Sequence, residues 1–402
     1  MLSKLTPQKS ALSVGCTAHI VQDGLTATIY VLLPVLAQAF GLTYTQVGLF
    51  KGLKSLTQAA LEMSSGVLAE RIGELRVIVV GLILSGVGYF GLAAAPSVLV
   101  ILLCLIVIGA GTAFQHAPAS ALIVSAYPVD RRRGPLGLYN SSGDIGKLLF
   151  TGCFSLVIGA GLAWQNISLL FGLVALVAAM GIALLARSHR QARQNDDASD
   201  TQTRVDESKL GWGILNWRSY WTLLAAVFLD TMVQAGILVF VAFLLLSKGL
   251  PLGIATAATV ILLVGGIFGK AGCGYLADRL GVGRAFVLIQ VLTAVGLLAV
   301  AVAPGWTSLL LLIPLGVVVQ GSTSITYGFA ADLIHPQRMA RGYALLYSSS
   351  SLSSVAGPLV FGFVADVYGI EIAIYAMAVV AVLAVPPIVL LSTSRMATAR
   401  PA

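Results

Sequence analysis

The stretch GVLAERIGELR, residues 66–76, is repeated further along the chain as GYLADRLGVGR, residues 274–284. Both stretches place a glycine ahead of an acidic residue and an arginine, with a second glycine two residues after the arginine. A further pair, RGPLGLYNSS at 133–142 and RGYALLYSSS at 341–350, has the same offset of 208 positions. A constant offset over such distances indicates that the chain consists of two related halves.

The composition places both halves in a membrane. Of the 402 residues, 58% are hydrophobic and 10% are charged, and the mean hydropathy is +0.94. A soluble domain has about 25% charged residues, so this chain lacks the residues for a solvated surface. Apolar runs of about 20 residues, the length a helix needs to cross a bilayer, recur throughout. These features predict an all-α membrane protein with several spans.

The apolar runs predict twelve transmembrane helices. Their expected positions are 11–40, 44–69, 76–95, 98–126, 134–160, 163–187, 217–247, 252–277, 284–303, 306–333, 341–365 and 370–392. One long polar interval separates the sixth span from the seventh. We therefore predict an N-terminal six-helix bundle over 1–190, a linker over 191–216 and a C-terminal six-helix bundle over 217–402.

The basic residues predict the orientation. With the N-terminus in the cytoplasm, 19 of the 24 lysines and arginines fall in cytoplasmic loops or tails, and four fall inside spans. Lys248 alone lies on the opposite side. This bias predicts a multi-pass protein of the inner membrane with both termini and the linker in the cytoplasm. It also accounts for the net charge of +8 without a nucleic-acid partner.

Several kinds of site have no sequence signature here. The four cysteines lie in apolar spans, which is typical of small buried hydrophobic residues rather than of a disulfide framework. The chain has no Walker A sequence, no paired metal-ligand motif and no nucleophile elbow. We expect no catalytic residues, no cofactor and no metal, so we do not expect an enzyme.

The repeated loop motif, G-x-L-A-[DE]-R-x-G after the second and eighth spans, resembles that of the major facilitator superfamily. The resemblance implies twelve transmembrane helices in two pseudo-symmetric six-helix bundles, the major facilitator fold. It also implies that the motif residues form a conformational latch at the cytoplasmic face. By position these residues are Gly66, Glu70, Arg71, Gly274, Asp278 and Arg279. The chain departs from the family pattern at Glu74, where the family usually has a basic residue.

A narrower resemblance covers the first, second and fourth spans. AHIVQDGLTATIYVLLPVLAQAFGLTYTQVGLF at 18–50 and GAGTAFQHAPAS at 109–120 resemble the fosmidomycin-resistance branch of facilitator efflux proteins. This resemblance implies export. The family's antiporter pattern of the fifth span is absent, and the sequence Gly-Asp-Ile-Gly stands there at 143–146.

Eight formally charged residues fall inside the predicted spans. They are Asp23, Lys51, Lys54, Glu62, Asp144, Lys147, Asp230 and Lys270. A charge at the bilayer centre costs about 2.5–3.5 kcal/mol on insertion scales, so such residues face the bundle interior or an aqueous cavity. Four acids and four lysines sum to zero, so pairing inside the protein is possible.

Helical spacing groups these residues into stripes. In the first span His19, Asp23, Thr26 and Tyr30 share one face, and in the fifth span Asn140, Asp144 and Lys147 share another. Two interpretations of Asp144 and Lys147 stay open: a structural ion pair, or a site whose pairing changes when a proton or an anion arrives. Our candidates for proton coupling are Asp23, His19, Asp144 and Glu62, since buried carboxylates without a full partner bind protons near neutral pH.

A lysine inside a cavity suits an anionic substrate as a point charge. Lys54 is the main candidate, whereas Lys51 lies near the outer end and could instead extend to water. The complete set of substrate-binding candidates is Lys54, Lys51, Lys147, Gln58, Tyr30, Gln115, His116, Asn140, Asp230, Gln234 and Tyr327.

The sequence thus predicts a monomeric secondary active transporter that moves a small anionic or amphiphilic compound across the inner membrane by alternating access. Its partners are the substrate, protons and the lipid bilayer, and proton-coupled efflux is the favoured mode. A proton-coupled importer of organic anions and a multidrug exporter of neutral or cationic compounds stay open. From other classes, a membrane receptor and an intramembrane enzyme are disfavoured by the repeated loop motif.

Overall fold

The computed structural model describes residues 6–128, 131, 133–193, 211–335 and 338–398. Within these ranges the chain folds into fourteen α-helices. They are α1 (Pro7–Phe40), α2 (Tyr44–Ile72), α3 (Glu74–Ala93), α4 (Val98–Ala113), α5 (His116–Ala126), α6 (Arg133–Gly159), α7 (Trp164–Arg193), α8 (Trp217–Ser247), α9 (Leu252–Leu280), α10 (Val282–Val302), α11 (Gly305–Ala331), α12 (Met339–Tyr368), α13 (Ile370–Leu383) and α14 (Val385–Thr398).

The fourteen helices correspond to twelve spans, because two spans are broken. The predicted helix 98–126 is interrupted between α4 and α5, and the predicted helix 370–392 is interrupted at Ala384. A proline follows each break: Pro118 lies in the first turn of α5, and Pro386 lies in the first turn of α14. The first turn of a helix tolerates proline because its N–H has no intrahelical partner there, so both helices begin anew at these points.

Ten of the spans are long and apolar enough to cross a membrane by length and composition alone. The exceptions within the described residues are α2 and α6, with 29 and 27 residues. Both are long enough to cross, and both carry intramembrane charges. The all-α membrane architecture predicted from the sequence is confirmed.

The chain divides into two compact units. The first comprises residues 1–32 and 53–203, and the second comprises 33–52 and 204–402. The segment 33–52, which ends α1 and begins α2, falls in the second unit, and the predicted boundaries of the two six-helix bundles stay a prediction. In that unit Gly48 lies against the carbonyl of Pro358 on α12, with no space for a side chain. Residues 194–210 of the predicted linker lie outside the described residues.

The two loop motifs have the same backbone conformation at their second glycine. In the first, α2 ends at Ile72 and Gly73 has φ 92° before α3 begins. In the second, Gly281 has φ 80° between α9 and α10. Since non-glycine residues rarely adopt this left-handed region, the second glycine of each motif is needed for the reversal. Glu74 lies in the first turn of α3, where the helix dipole favours a negative charge.

Candidate functional site

Five charged or titratable side chains from α1, α5 and α6 meet in the first unit. Asp23 of α1 lies at the centre and is 6% exposed. Its Oδ2 atom is 3.2 Å from Nε2 of His19 and 3.1 Å from Nζ of Lys147 on α6. Its Oδ1 atom is 3.6 Å from Nε2 of His116 on α5. Nζ of Lys147 also lies 3.1 Å from Oδ1 of Asp144, so the lysine bridges two carboxylates. We call these five residues the Asp23 cluster.

Hydrogen bonding on its two sides constrains the protonation of His19. Nδ1 lies 2.8 Å from the carbonyl oxygen of Tyr139, which can only accept, so Nδ1 carries a hydrogen. In a neutral imidazole Nε2 would then be an acceptor, yet it faces the carboxylate of Asp23 at 3.2 Å. Two acceptors do not stabilise each other. A hydrogen bond between this ring nitrogen and the carboxylate forms when the ring or the carboxyl group carries one further proton.

The formal charges at the cluster include a further cation. Asp23 and Asp144 contribute −2, Lys147 contributes +1, and the charge of Lys54 also acts on His116. These four charges sum to zero while both histidines are neutral, so an added proton is favoured by the geometry of His19 and Asp23 and not by the charge balance.

Glycines allow α1 and α6 to approach closely enough to build this cluster. A side chain at Gly143 would place its Cβ 2.6 Å from Nε2 of His19 and 2.8 Å from Oδ2 of Asp23. One turn further on, Gly146 contacts the backbone carbonyl of Ile20. Small residues at helix contacts permit such an approach between membrane spans. The two glycines of the Gly-Asp-Ile-Gly sequence at 143–146 therefore allow α6 to pack closely against α1.

The imidazole rings of the cluster are also held by aromatic contacts. The ring of His19 stacks on Tyr139 with a centroid distance of 4.1 Å, and it meets the ring of His116 edge-on at 5.3 Å. Tyr139 was not among the residues predicted for the site. It contacts His19 through its main-chain carbonyl, and such a contact does not depend on the type of side chain. In the sequence, Tyr139 is marked only by its repeat as Tyr347 at the offset of 208 positions.

Lys54 of α2 is 1% exposed, and its Nζ donates a 2.8 Å hydrogen bond to Oε1 of Gln58. Glu62 interacts electrostatically with Lys54, but it does not belong to the Asp23 cluster. Lys51 is also buried, at 4% exposed. Its side chain therefore does not extend to water as the alternative interpretation had it.

The other predicted residues of the first unit have varied environments. Gln115 is buried at the start of α5, Tyr30 is partly buried on α1, and Asn140 is exposed on α6. Their predicted contact with a substrate stays a prediction.

The latch residues have few contacts within the described structure. Asp278 and Arg279 are exposed at the end of α9, and the guanidinium of Arg279 lies 4.6 Å from the ring centroid of Tyr275. Arg71 is exposed at the end of α2. Gly66 and Gly274 lie in open surroundings, where an added Cβ would meet nothing closer than 3.9 Å. The side chain of Glu70 lies outside the described residues, and the latch stays a prediction.

In the second unit, Asp230 of α8 forms a separate polar centre. Its carboxylate accepts hydrogen bonds from Gln290 at 2.6 Å, Ser322 at 2.8 Å and Gln234 at 2.9 Å. Tyr327 packs edge-on against Tyr347 and accepts a hydrogen bond from Tyr343 through its carbonyl. Ser322 was not predicted, because its proximity to Asp230 depends on how α8 packs against α11.

His19, Asp23 and His116 could supply ligands to a metal ion, since their candidate ligand atoms all lie within 4.8 Å of one another. Two imidazoles and a carboxylate form a known type of metal site. The ammonium group of Lys147, however, lies 3.1 Å from the same carboxylate, and its charge repels a cation bound there. The donor set therefore fits a metal poorly while Lys147 is charged.

The fold and the site together define a class: a polytopic helical membrane protein made of two related halves, with charged residues gathered inside its spans. Comparison with known proteins specifies the class. The model of the Major Facilitator Superfamily matches residues 15–273 and 223–402, and the chain belongs to this family of transporters.

Individual relatives are more distant. The "Uncharacterized MFS-type transporter YfnC" of Bacillus subtilis is 29% identical over 42% of this chain and 41% of its own length, so this chain matches less than half of that relative. The "Probable sulfoacetate transporter SauU" of Cupriavidus necator is 23% identical over 70% of this chain and 67% of its own.

Among solved structures, a bacterial homologue of the human lysosomal transporter Spinster, in an inward-facing and unoccupied conformation, superposes with a TM-score of 0.82. It covers 99% of this chain and 100% of its own, at 16% identity. At this identity the likeness concerns the fold alone, and it confirms the predicted major facilitator architecture.

Proposed function

We propose that this chain is a proton-coupled secondary active transporter that exports a small organic anion across the inner membrane, with both termini in the cytoplasm. The observation that carries the coupling is the pair of His19 and Asp23. The carbonyl of Tyr139 fixes the hydrogen on Nδ1, and the remaining ring nitrogen faces a carboxylate, so the two groups form a hydrogen bond when they carry one further proton.

Lys147 provides the means to link this proton to a substrate. It contacts both Asp23 and Asp144, and its side chain is 29% exposed. An arriving anion can attract the ammonium group away from Asp23, and the carboxylate then binds a proton more strongly because it has lost a cationic neighbour. By this route substrate binding and proton binding favour each other, which corresponds to symport; antiport requires that Lys147 stay on Asp23 when the anion binds, and the sign of the proton flux distinguishes the two.

Lys54 supports an anionic substrate. A buried lysine acts as a point charge that suits an anionic group. A carboxylate, sulfonate or phosphonate on the substrate would interact with it in addition to Gln58 and Glu62. The name of the relative SauU, a probable sulfoacetate transporter, gives a suitable first probe.

Export and the inner-membrane orientation rest on sequence patterns. The orientation follows from the distribution of lysine and arginine. The direction follows from the likeness of the first, second and fourth spans to the fosmidomycin-resistance branch.

The test uses purified protein in liposomes with an inward proton gradient and an internal pH dye. Sulfoacetate, fosmidomycin, lactate and lipophilic cationic drugs are added one at a time. We expect an anion to change the proton flux in the wild type, Asp23→Asn to abolish the coupled flux, and Lys54→Ala to abolish the response to anions. Lys54→Arg is the matched control, because it keeps the positive charge and should retain part of the response.

The sign of the flux separates antiport from symport, and symport would replace export by import. If only cationic or neutral drugs respond, and Lys54→Ala behaves as the wild type, the protein is a multidrug exporter and the anion proposal is wrong. Coupled flux that survives Asp23→Asn would contradict the assignment of the proton site.

A further inference from the structure

Asp230 is a buried carboxylate whose bonded partners are all neutral. It is 4% exposed, and its three hydrogen bonds come from two glutamine amides and one serine hydroxyl. No lysine, arginine or histidine of the described structure forms an ion pair with it. An ionised carboxylate is expensive to bury without a cation, and neutral donors compensate only part of the cost.

The helices packed against α8 bring no cation to this carboxylate. Apart from Asp230 itself, Lys270 on α9 is the charged residue of α8 to α14 furthest from a helix end, and it makes no ion pair with Asp230. The other charged residues of α8 to α14 lie within four residues of a helix end. Titratable groups that are neutral near pH 7 also occur on these helices, and none bonds to Asp230. They are Tyr220, Cys273, Tyr275, Tyr327, Tyr343, Tyr347, Tyr368 and Tyr375.

The neighbours of Asp230 can serve a protonated carboxyl group as well as an ionised one. The amide of Gln290 lies 2.6 Å from Oδ1, which is shorter than a usual N–H···O bond and fits an O–H···O bond to the amide oxygen. Oε1 of Gln290 is buried and has no partner in its present orientation. The hydroxyl of Ser322 also lies 3.1 Å from the carbonyl of Val319, so it can redirect its hydrogen there.

The repeat shows that the anchoring role of this position does not need a charge. Subtracting the offset of 208 from 230 gives position 22, which is Gln22 on α1. Gln22 is fully buried and donates to the hydroxyls of Ser85 on α3 and Thr112 on α4, at 2.7 and 3.2 Å. Asp230 likewise joins α8 to α10 and α11. A neutral amide thus joins three helices in the first unit as a carboxylate does in the second. Joining helices therefore does not explain why position 230 carries a titratable group.

We propose that Asp230 is a second proton-binding site, in the second unit and independent of the Asp23 cluster. Each unit of the transporter then carries one titratable centre, and one cycle can move two protons. The role of this site in transport rests on the proposed proton coupling, but its protonation can be measured without transport and without a substrate.

The experiment is infrared difference spectroscopy of the purified full-length protein as the pH is lowered from about 8 to about 5. The wild type should gain the C=O stretch of a protonated buried carboxyl group. Asp230→Asn should lose that band, and Asp230→Glu should keep a band at a shifted frequency. Asp230→Gln copies the residue of the first unit and should also lose the band while the fold is retained, as judged by thermal unfolding.

Asp23→Asn separates this inference from the proposed function. If it leaves the Asp230 band intact, the two centres are independent, even if the coupling at Asp23 proves wrong. If Asp230→Asn and the wild type give the same difference spectrum, the carboxyl group does not titrate and the inference is overturned. A carboxylate band that shifts on adding sodium at constant pH, with no protonated band, would also overturn it in favour of a cation site.

Discussion

Gly143 of α6 lies directly against the imidazole of His19, and there is no room between them for even a methyl group. A Cβ at this position would be 2.6 Å from both Nε2 and Cε1 of the ring. We expect Gly143→Ala to push the ring away from Asp23 and to lower coupled proton flux at least tenfold, because a displacement of this size breaks the 3.2 Å contact. Flux in liposomes measures the effect.

Gly152 provides the matched control on the same helix. An added Cβ there meets nothing within 4 Å, so Gly152→Ala only exchanges glycine for a better helix former. It should leave the flux unchanged and raise the stability by up to about 1 kcal/mol. Equal loss of flux in both variants would mean that α6 is sensitive to any substitution and that the contact of Gly143 with His19 has no special role.

Removing Lys147 should convert the Asp23 cluster into a metal site. In Lys147→Met the carboxylate of Asp23 loses its ammonium neighbour, while His19 and His116 still direct ring nitrogens towards it. Three such ligands with an open fourth position suit zinc. At a zinc concentration about 100 times the Kd, the variant should gain about 2.7 kcal/mol of stability. Thermal unfolding with zinc, with and without a chelator, measures the gain.

The wild type and Lys147→Arg should show little stabilisation by zinc, because both keep a cation beside Asp23. Lys147→Met combined with His116→Ala should lose most of the effect. A wild type that zinc stabilises as strongly as Lys147→Met would contradict the repulsive role assigned to Lys147.

The sequence was sufficient for the spans and for the charged residues inside them, because hydropathy and helical periodicity are local properties. The i,i+3 contact of Asp144 with Lys147 could be predicted in this way, and it is present at 3.1 Å. The breaks before α5 and α14 were missed, although Pro118 and Pro386 were visible, since hydropathy alone joins both sides of each break.

The assembly of the Asp23 cluster could not be predicted from local patterns. It depends on the close approach of α1 and α6 at Gly143 and Gly146, and on the main-chain carbonyl of Tyr139. The same holds for Asp230, whose partners come from α10 and α11. Contacts between helices that are far apart in sequence can be identified only once the packing of the helices is known.

Asp366 near the end of α12 caps the first turn of α2. Its Oδ1 and Oδ2 atoms accept from the backbone N–H groups of Tyr44 and Thr45, each at 2.8 Å. These groups have no partner within α2, so Asp366→Ala should destabilise the protein by about 1–2 kcal/mol. Asp366→Asn keeps one acceptor oxygen and should lose less. Thermal unfolding in detergent gives the comparison, and equal losses in the two variants would indicate that the caps are not the cause.

Lys248 is the one basic residue that the charge distribution places on the outer side. In the structure it caps the C-terminal end of α10. Its Nζ lies 2.6, 2.7 and 2.5 Å from the carbonyl oxygens of Val300, Ala301 and Ala303 and 3.0 Å from Oγ of Ser308, and its three hydrogens are shared among these four acceptors. These carbonyls end α10, where a cation interacts favourably with the helix dipole. Lys248 therefore departs from the positive-inside pattern as a helix cap.

Lys248→Met keeps the aliphatic stem but leaves the three carbonyls without their donor. We expect a loss of about 1–3 kcal/mol, the usual range for buried groups left without a charged partner. Lys248→Arg keeps the charge and the donors and should lose less than Lys248→Met. Thermal unfolding measures stability, and proteoliposomes measure orientation by protease access to the linker. A mixed orientation in Lys248→Met with unchanged stability would show that the residue acts on topology and not as a cap.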